Sequence, residues 1–266
     1  MKISVFALLL ITLSVLVFGS YHYEKKIATV SAEASENMKE QEKIRQIERQ
    51  EEINKFADSL RDVDGAINVK SGLKEDLINE ETPTIVFLGD STTEQNQYTK
   101  GKDGHVNLIH KALNPLSAVK VINSGISGDD SSDMLKRVES DVLRYNPDLV
   151  IVSTGINDAV NLTEEEIKKN LDTLLKRISE ETEAKVIFRT SSATKDSNIN
   201  ERLENEINPL AKELSEKYKI GFADTYQYFS KQTADNFSNY MTDIYHPNHK
   251  GQKVIADYLI SVLLLN

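Results

Sequence analysis

The sequence contains no cysteine, and it has no excess of basic residues. The absence of cysteine excludes disulfide bonds, thiolate zinc ligands, a cysteine nucleophile and a cysteine-linked lipid anchor within this sequence. Against 32 Lys and Arg there are 42 Asp and Glu, which gives a formal net charge of -10. Because phosphate binding requires clustered Lys and Arg, this balance argues against nucleic acid as a partner. With 266 residues, 39% of them hydrophobic, the chain is long enough to bury one sizeable core.

Charged residues are also absent from residues 3–19, ISVFALLLITLSVLVFG. As a helix this run spans roughly 25 Å, the lower limit for crossing a bilayer core. Its terminal position favours a membrane segment over a buried core helix, so residues 1–20 are either an uncleaved signal-anchor or a cleaved signal peptide. No A-x-A cleavage sequence ends the apolar run, and Tyr21 and Tyr23 follow it at once, as interfacial aromatic residues do. We therefore favour a single-pass cell-membrane protein with its main domain outside the cytoplasm; secretion after signal cleavage is the alternative.

Residues 21–80 differ in composition from the segments on either side. The stretch 33–62 has no Gly and no Pro and is rich in Glu, Lys, Gln and Arg, which are good helix formers. Its apolar residues are sparse and weakly periodic, so a coiled coil is poorly supported. We predict a charged helical stalk or linker over 21–80; a short coiled coil, or a helix docked on the main domain, remains the alternative.

In residues 81–266, short apolar runs alternate with longer amphipathic stretches. Alternation of continuous apolar strands with helices is typical of a parallel sheet covered on both faces, so we predict one three-layer α/β/α domain with a five-stranded parallel sheet. The candidate strands are 84–89, 118–123, 148–155, 184–190 and 219–225, and the candidate helices are 104–113, 131–144, 163–181, 200–218 and 249–264.

In open parallel sheets, ligands bind at the carboxyl ends of the strands, and polar glycine-bearing clusters follow the candidate strands here. Ser91 follows the first strand and would stand near a helix N-terminus. A serine needs a base to remove its proton. Of the five histidines, His246 has Asp243 three residues earlier, a spacing that lets the carboxylate fix the imidazole tautomer and leave Nε2 free.

Acyl transfer also requires hydrogen-bond donors aimed at the developing oxyanion. The amide of Ser91, a glycine such as Gly128, where the backbone can approach closely, and the side-chain amide of Asn157 would supply three donors from three strand ends. Each feature alone is common in turns and loops; their joint order favours acyl transfer.

These residues resemble the four sequence blocks of the SGNH, or GDSL, hydrolases. The blocks read GDST at 89–92, NSGISGDD at 123–130, GIND at 155–158 and DIYHPN at 243–248, and their order extends over residues 82–264. Thr92 stands where Leu or Ile is usual in the family. The resemblance implies a flavodoxin-like sheet and ester hydrolysis through an acyl-serine, with no cofactor and no metal. It implies Ser91 as nucleophile, His246 as base, Asp243 as its orienting acid, and an oxyanion hole formed by Ser91, Gly128 and Asn157.

The substrate is less well specified by the sequence. Glu94, Asn96 and Tyr98 follow the nucleophile and Tyr245 precedes the base, so they either line the pocket or only cover the neighbouring helix. The residues do not separate a small acyl ester on a glycan from a lipid ester. Because 82–264 lacks a long apolar lid segment, we favour small acyl esters.

Three alternatives to a hydrolase remain open. An O-acyltransferase acting on surface glycan could use the same serine, but would need a membrane partner as acyl donor. A stalked binding module without catalysis is the second. The third is a metal site in which Asp243, His246 and His249 are ligands, although Ser91 and Asn157 would then have no role.

Overall fold

The structure is a computed structural model that describes residues 5–60, 66–67, 69–79, 82–95 and 97–265. The chain forms two compact units, Met1–Arg49 and Gln50–Asn266. Helix α1, Val5–Ser59, supplies the described part of the first unit and the beginning of the second. The domain boundary near residue 81 remains a sequence-based prediction.

The described part of the first unit is the portion of α1 up to Arg49, which is apolar at its beginning and charged further along. Within the described residues, one helix is long and apolar enough to cross a membrane, with a mean hydropathy of 1.4 over its best window and none of that window buried. A signal sequence near an N-terminus meets the same criteria. Residues 1–4 of the predicted membrane segment lie outside the described part of the chain.

The second unit contains the sheet. Its described strands are β1 Ala66–Ile67, β2 Thr84–Gly89, β3 Lys120–Gly125, β4 Leu149–Ser153, β5 Lys185–Arg189 and β6 Gly221–Ala223. They lie in the order β1-β6-β5-β4-β2-β3. Strands β2 to β6 are mutually parallel, which confirms the predicted five-stranded parallel sheet, and β1 adds an antiparallel edge next to β6.

The remaining helices of this unit connect and cover the strands. They are α2 Leu73–Ile78, α3 Ser91–Glu94, α4 His105–Leu113, α5 Ser131–Asp141, α6 Ile156–Asn161, α7 Glu164–Glu181, α8 Ser197–Arg202, α9 Asn208–Tyr218, α10 Thr225–Thr233 and α11 His249–Leu265. A π-helical turn, Leu203–Ile207, joins α8 to α9, and 3₁₀ turns follow α5 and α10. Helices α2, α4, α10 and α11 pack as one group, and α5, α7 and α9 as another.

Local sequence explains where these helices begin and which face they bury. Helix α7 starts at a capping box in which Thr163 and Glu166 satisfy each other's backbone amides. Its buried residues recur at helical spacing: Ile167, Leu171, Leu174, Leu175 and Ile178. All five residues of β4 are buried, as expected for a strand covered on both faces.

The last turns of α1 belong to the second unit. Ile53 and Ala57 are buried in its hydrophobic core, and Ser261 Oγ of α11 donates a hydrogen bond to the carbonyl of Leu60 at 3.3 Å. Part of the segment predicted as a stalk or linker thus contributes to the core, through Ile53, Ala57 and the buried residues Leu73 and Leu77 of α2. The sparse apolar residues of 50–60 gave little sequence signal for this packing.

Candidate active site

The carboxyl ends of three neighbouring strands meet at one edge of the sheet. Gly89, the last residue of β2, is paired with Gly125 of β3 and with Ser153 of β4. Because the strands are parallel and in register, the segments that follow them emerge side by side. Candidate site residues that are far apart in the sequence therefore lie close together at this edge of the sheet.

Ser91 is the first residue of α3, immediately after the turn that leaves β2. Asp90 caps this helix, and its carboxylate accepts the Thr92 amide hydrogen at 2.8 Å. The serine is 7% exposed, and its Oγ lies 2.9 Å from Nε2 of His246. Its hydroxyl can therefore donate its proton directly to the imidazole.

His246 lies in the loop before α11, and Asp243 holds its other ring nitrogen. The Nδ1 atom is 2.9 Å from Oδ2 and 3.0 Å from Oδ1 of Asp243. Oδ1 also accepts the backbone amides of Tyr245 and His246, each at 2.8 Å. Burial raises the pKa of Asp243, but the hydrogen bonds from His246 and from these amides outweigh that effect, so the pKa is lowered overall. The carboxylate is thus ionised and fixes the tautomer in which Nε2 is free to accept a proton.

Two aromatic side chains contact the imidazole of His246. The ring of Tyr98 stacks on one face, with ring centroids 3.5 Å apart and 9° between the planes. Tyr245 approaches edge-on, at 6.3 Å and 87°. The sequence indicated that both tyrosines follow or precede the site, but not that Tyr98 lies on the imidazole.

The predicted oxyanion donors come from the segments after β3 and β4. Gly128 has φ +90°, a conformation that favours glycine, and a Cβ added there would meet no atom within 4 Å. Asn157 lies in the first turn of α6, and its Nδ2 donates to the carbonyl of Asp129 at 2.9 Å. The side-chain amide of Asn157 is therefore held next to the segment that carries Gly128.

Arg137 of α5 ties these segments together, and sequence reasoning did not identify it. Its Nε is 2.6 Å from Asp129, and its Nη1 is 2.8 Å from Asp141. The guanidinium also donates to the carbonyls of Ser124 and Gly89 at the ends of β3 and β2. With four hydrogen bonds, this arginine fixes the strand ends relative to the segment behind Gly128. An arginine on a polar helix face has no distinguishing signal in the sequence.

Asp90, Asp158 and Arg189 are among the ionisable groups buried at this end of the sheet. Burial raises the pKa values of both carboxyls, and hydrogen bonds from Thr92 to Asp90 and from Ser131 and Thr154 to Asp158 oppose that effect. Burial lowers the pKa of Arg189 to about 10, partly offset by the charge of Asp90.

The weaker substrate-binding candidates have different surroundings. Glu94 accepts the Ser127 amide hydrogen at 2.7 Å and also binds the Ser127 hydroxyl, so it braces the segment before Gly128. A polar cavity of about 470 Å³ is lined by Glu94, Asn107 and Asn123 among others. Asn96, another of these candidates, lies outside the described residues.

His249 does not join the Asp243–His246 pair. Its Nδ1 lies 3.0 Å from the carbonyl of Asp103. Among the described residues, no group of three or more His, Asp or Glu side chains is arranged to hold a metal ion.

Comparison with known proteins agrees with this fold. Residues 87–254 match the GDSL-like Lipase/Acylhydrolase family. The chain belongs to that family.

The most similar relatives include an acetylxylan esterase of Geobacillus stearothermophilus, which is 32% identical over 85 residues, 28% of this chain and 39% of that protein. The chain thus matches well under half the length of this curated relative. Among solved structures, LAE5, an alpha/beta hydrolase enzyme from the metagenome of Lake Arreo, Spain, superposes with a TM-score of 0.60 and 25% identity, covering 69% of this chain and 96% of that one. A catalytic mutant of Axe2, an acetylxylan esterase from Geobacillus stearothermophilus, gives a TM-score of 0.60 at 20% identity, covering 68% and 94% of the two chains.

Proposed function

We propose that this protein hydrolyses small acyl esters through an acyl-serine intermediate, with Ser91 as nucleophile, His246 as general base and Asp243 as the acid that orients it. The observation that carries the proposal is the unbroken chain of contacts from Ser91 Oγ to His246 Nε2 at 2.9 Å and from His246 Nδ1 to Asp243 at 2.9 Å. This chain is the arrangement that activates a serine hydroxyl in acyl transfer.

The reaction follows from these contacts in two steps. His246 takes the proton of Ser91 as Oγ attacks the ester carbonyl, and it returns that proton to the departing alcohol. Water then attacks the acyl-serine with the same base, which releases the acid and restores the hydroxyl. In each step the carbonyl oxygen becomes negative, and we assign the amides of Ser91 and Gly128 and the side chain of Asn157 as its donors.

A small acyl group attached to a carbohydrate is the substrate class we favour. The similarity to an acetylxylan esterase supports an acetyl ester of a carbohydrate. We also propose that α1 anchors the protein in the cell membrane, with the catalytic unit outside the cytoplasm; the exposed apolar residues of α1 between Leu8 and Phe18 support this proposal.

The test of the chemistry is hydrolysis of a chromogenic acetyl ester by the folded protein. We expect Ser91→Ala and His246→Ala each to abolish turnover, while the matched neighbour variant His249→Ala retains most of it. A Ser91→Ala variant as active as the parent would overturn the assignment. Esters graded by acyl length, with acetylated glycans included, test the preference for small acyl groups. Mass analysis of the mature N-terminus, with protease treatment of intact cells, tests the anchor and its topology.

A further inference from the structure

The imidazole of His246 is covered on one face by a parallel aromatic ring. Tyr98 lies in the segment between α3 and α4, is half-buried, and stacks on the imidazole at 3.5 Å between centroids with 9° between planes. So short a centroid distance at so small an angle leaves little lateral offset between the rings.

Hydrogen bonds hold both ring-bearing segments in this arrangement. The hydroxyl of Thr242, next to Asp243, donates to the carbonyl of Tyr98 at 2.6 Å. The amide of Thr242 donates to the carbonyl of His246 at 2.8 Å, which closes the loop that carries the imidazole. Gln97 Nε2 donates to the Tyr98 hydroxyl at 3.2 Å. The stack is thus fixed from the backbone of both partners.

A face-to-face stack discriminates between the two protonation states of the imidazole. Two neutral aromatic rings prefer an offset or edge-to-face arrangement, because both faces carry negative partial charge. A cation over the face of a tyrosine ring is attracted to it. The Tyr98 stack therefore favours the imidazolium over the neutral imidazole.

Other charged or titratable groups near this ring are the carboxylates of Asp243 and Asp90 and the phenol of Tyr245. The two carboxylates also favour the imidazolium, but neither contacts the ring face. Tyr245 meets the imidazole edge-on, so the face of the Tyr245 ring is not stacked on the charged imidazolium. Tyr98 is thus the group whose contact with the imidazole face responds to protonation.

We propose that Tyr98 is a positioning residue of the ester hydrolysis reaction, whose ring face holds the His246 imidazole in line with Ser91 and stabilises the imidazolium that forms when the serine proton is transferred. The proposal rests on the proposed function. Because the imidazolium exists after proton transfer and not before it, the stack lowers the barrier rather than binding the ground state more tightly.

The test compares Tyr98→Phe, which keeps the ring, with Tyr98→Leu, which removes it. We expect the Phe variant to retain most of the parent kcat and the Leu variant to lose roughly 2- to 30-fold, the range that typical cation–ring attractions correspond to, with KM little changed. Tyr145→Leu is the control, because Tyr145 is a half-buried tyrosine on a 3₁₀ turn that contacts Arg144 and Lys120 rather than the site. Thermal unfolding of all variants confirms that they are folded.

A second readout does not depend on turnover. In a Ser91→Ala background, NMR titration of His246, assigned with His246→Ala, should give a midpoint that is lower for Tyr98→Leu than for Tyr98→Phe by about 0.4 to 1.5 pH units. Equal midpoints, an equal loss of kcat in both variants, or a change confined to KM would each overturn the proposal. If the parent hydrolyses no ester, the proposed function fails, and the NMR titration still decides whether Tyr98 favours the imidazolium.

Discussion

Replacing Asp243 by Asn separates the charge of this side chain from its shape. The carboxylate now accepts the Nδ1 proton of His246 and two backbone amides. An asparagine fits the same space, but its amide group can donate to Nδ1 and thereby select the tautomer in which Nε2 carries the proton. That tautomer cannot accept the proton of Ser91.

The size of the effect follows from the distance between the charges. At a separation of 2.9 Å, Coulomb's law gives an attraction of about 6 kcal/mol between carboxylate and imidazolium at an effective dielectric constant of about 20. The Asp243 side chain is 43% exposed, so solvent screens this attraction, and doubling the dielectric constant reduces it to about 3 kcal/mol. We therefore expect kcat to fall roughly 10²- to 10⁴-fold, since each 1.4 kcal/mol or so is a factor of ten.

The assay is steady-state hydrolysis of an acetyl ester, with kcat and KM determined separately. The control is Asp196→Asn, because Asp196 Oδ1 also accepts two backbone amides, at 3.0 and 3.3 Å, two and three residues ahead, but binds no imidazole. We expect this control to keep kcat close to that of the parent. If Asp243→Asn kept kcat within about threefold of the parent, the charge would contribute far less than Coulomb's law requires, and the reasoning would be refuted.

Three further predictions test the donors, the scaffold and the pH dependence. Asn157→Ala should lower kcat roughly 10²- to 10³-fold with little change in the midpoint of urea unfolding, as for loss of one oxyanion donor; an unchanged kcat would remove it from that role. Arg137→Met should reduce the free energy of unfolding by about 3 kcal/mol in urea titrations, because Asp129 and Asp141 lose their shared cation; a loss below about 1 kcal/mol would contradict this. The pKa of Asp243 is lowered in the folded state, so its carboxylate stabilises the fold above its ordinary pKa, and that contribution disappears as the pH falls through the lowered value. The difference in unfolding free energy between the parent and Asp243→Asn should therefore shrink as the pH is lowered from neutral; a constant difference would contradict the sign.

The sequence was sufficient to predict the parallel sheet, because β2, β4 and β5 each contain a continuous apolar run and all the parallel strands alternate with helical stretches. It was less informative about α6, α8 and α10, which it did not predict as separate helices. Helix α10 has a polar sequence, TYQYFSKQT, and begins at a cap on Asp224, so its apolar periodicity is weak. The edge strand β1 has only two residues and carries no periodic signal.

The candidate site divides in the same way. Residue types and order indicated Ser91, Asn157, Asp243 and His246, because chemistry constrains which side chains can activate a serine and parallel strands bring their carboxyl ends together. Sequence spacing alone also justified pairing His246 with Asp243, three residues apart within one loop.

Contacts between distant segments were decided by the tertiary structure alone. The Tyr98 ring meets His246 across 148 positions of sequence and Arg137 reaches the carbonyl of Gly89, and neither contact leaves a periodic or local signature in the chain. The spacing of apolar residues along the sequence indicates which face of a strand or helix is apolar. The contact partner of an exposed or half-buried polar side chain depends instead on the register of β2, β3 and β4 and on the path of the loops that follow them. The sequence by itself thus determined the parallel sheet and the residues that are candidates for the chemistry, and the packing of the loops decided how the rings and charges of those residues are held.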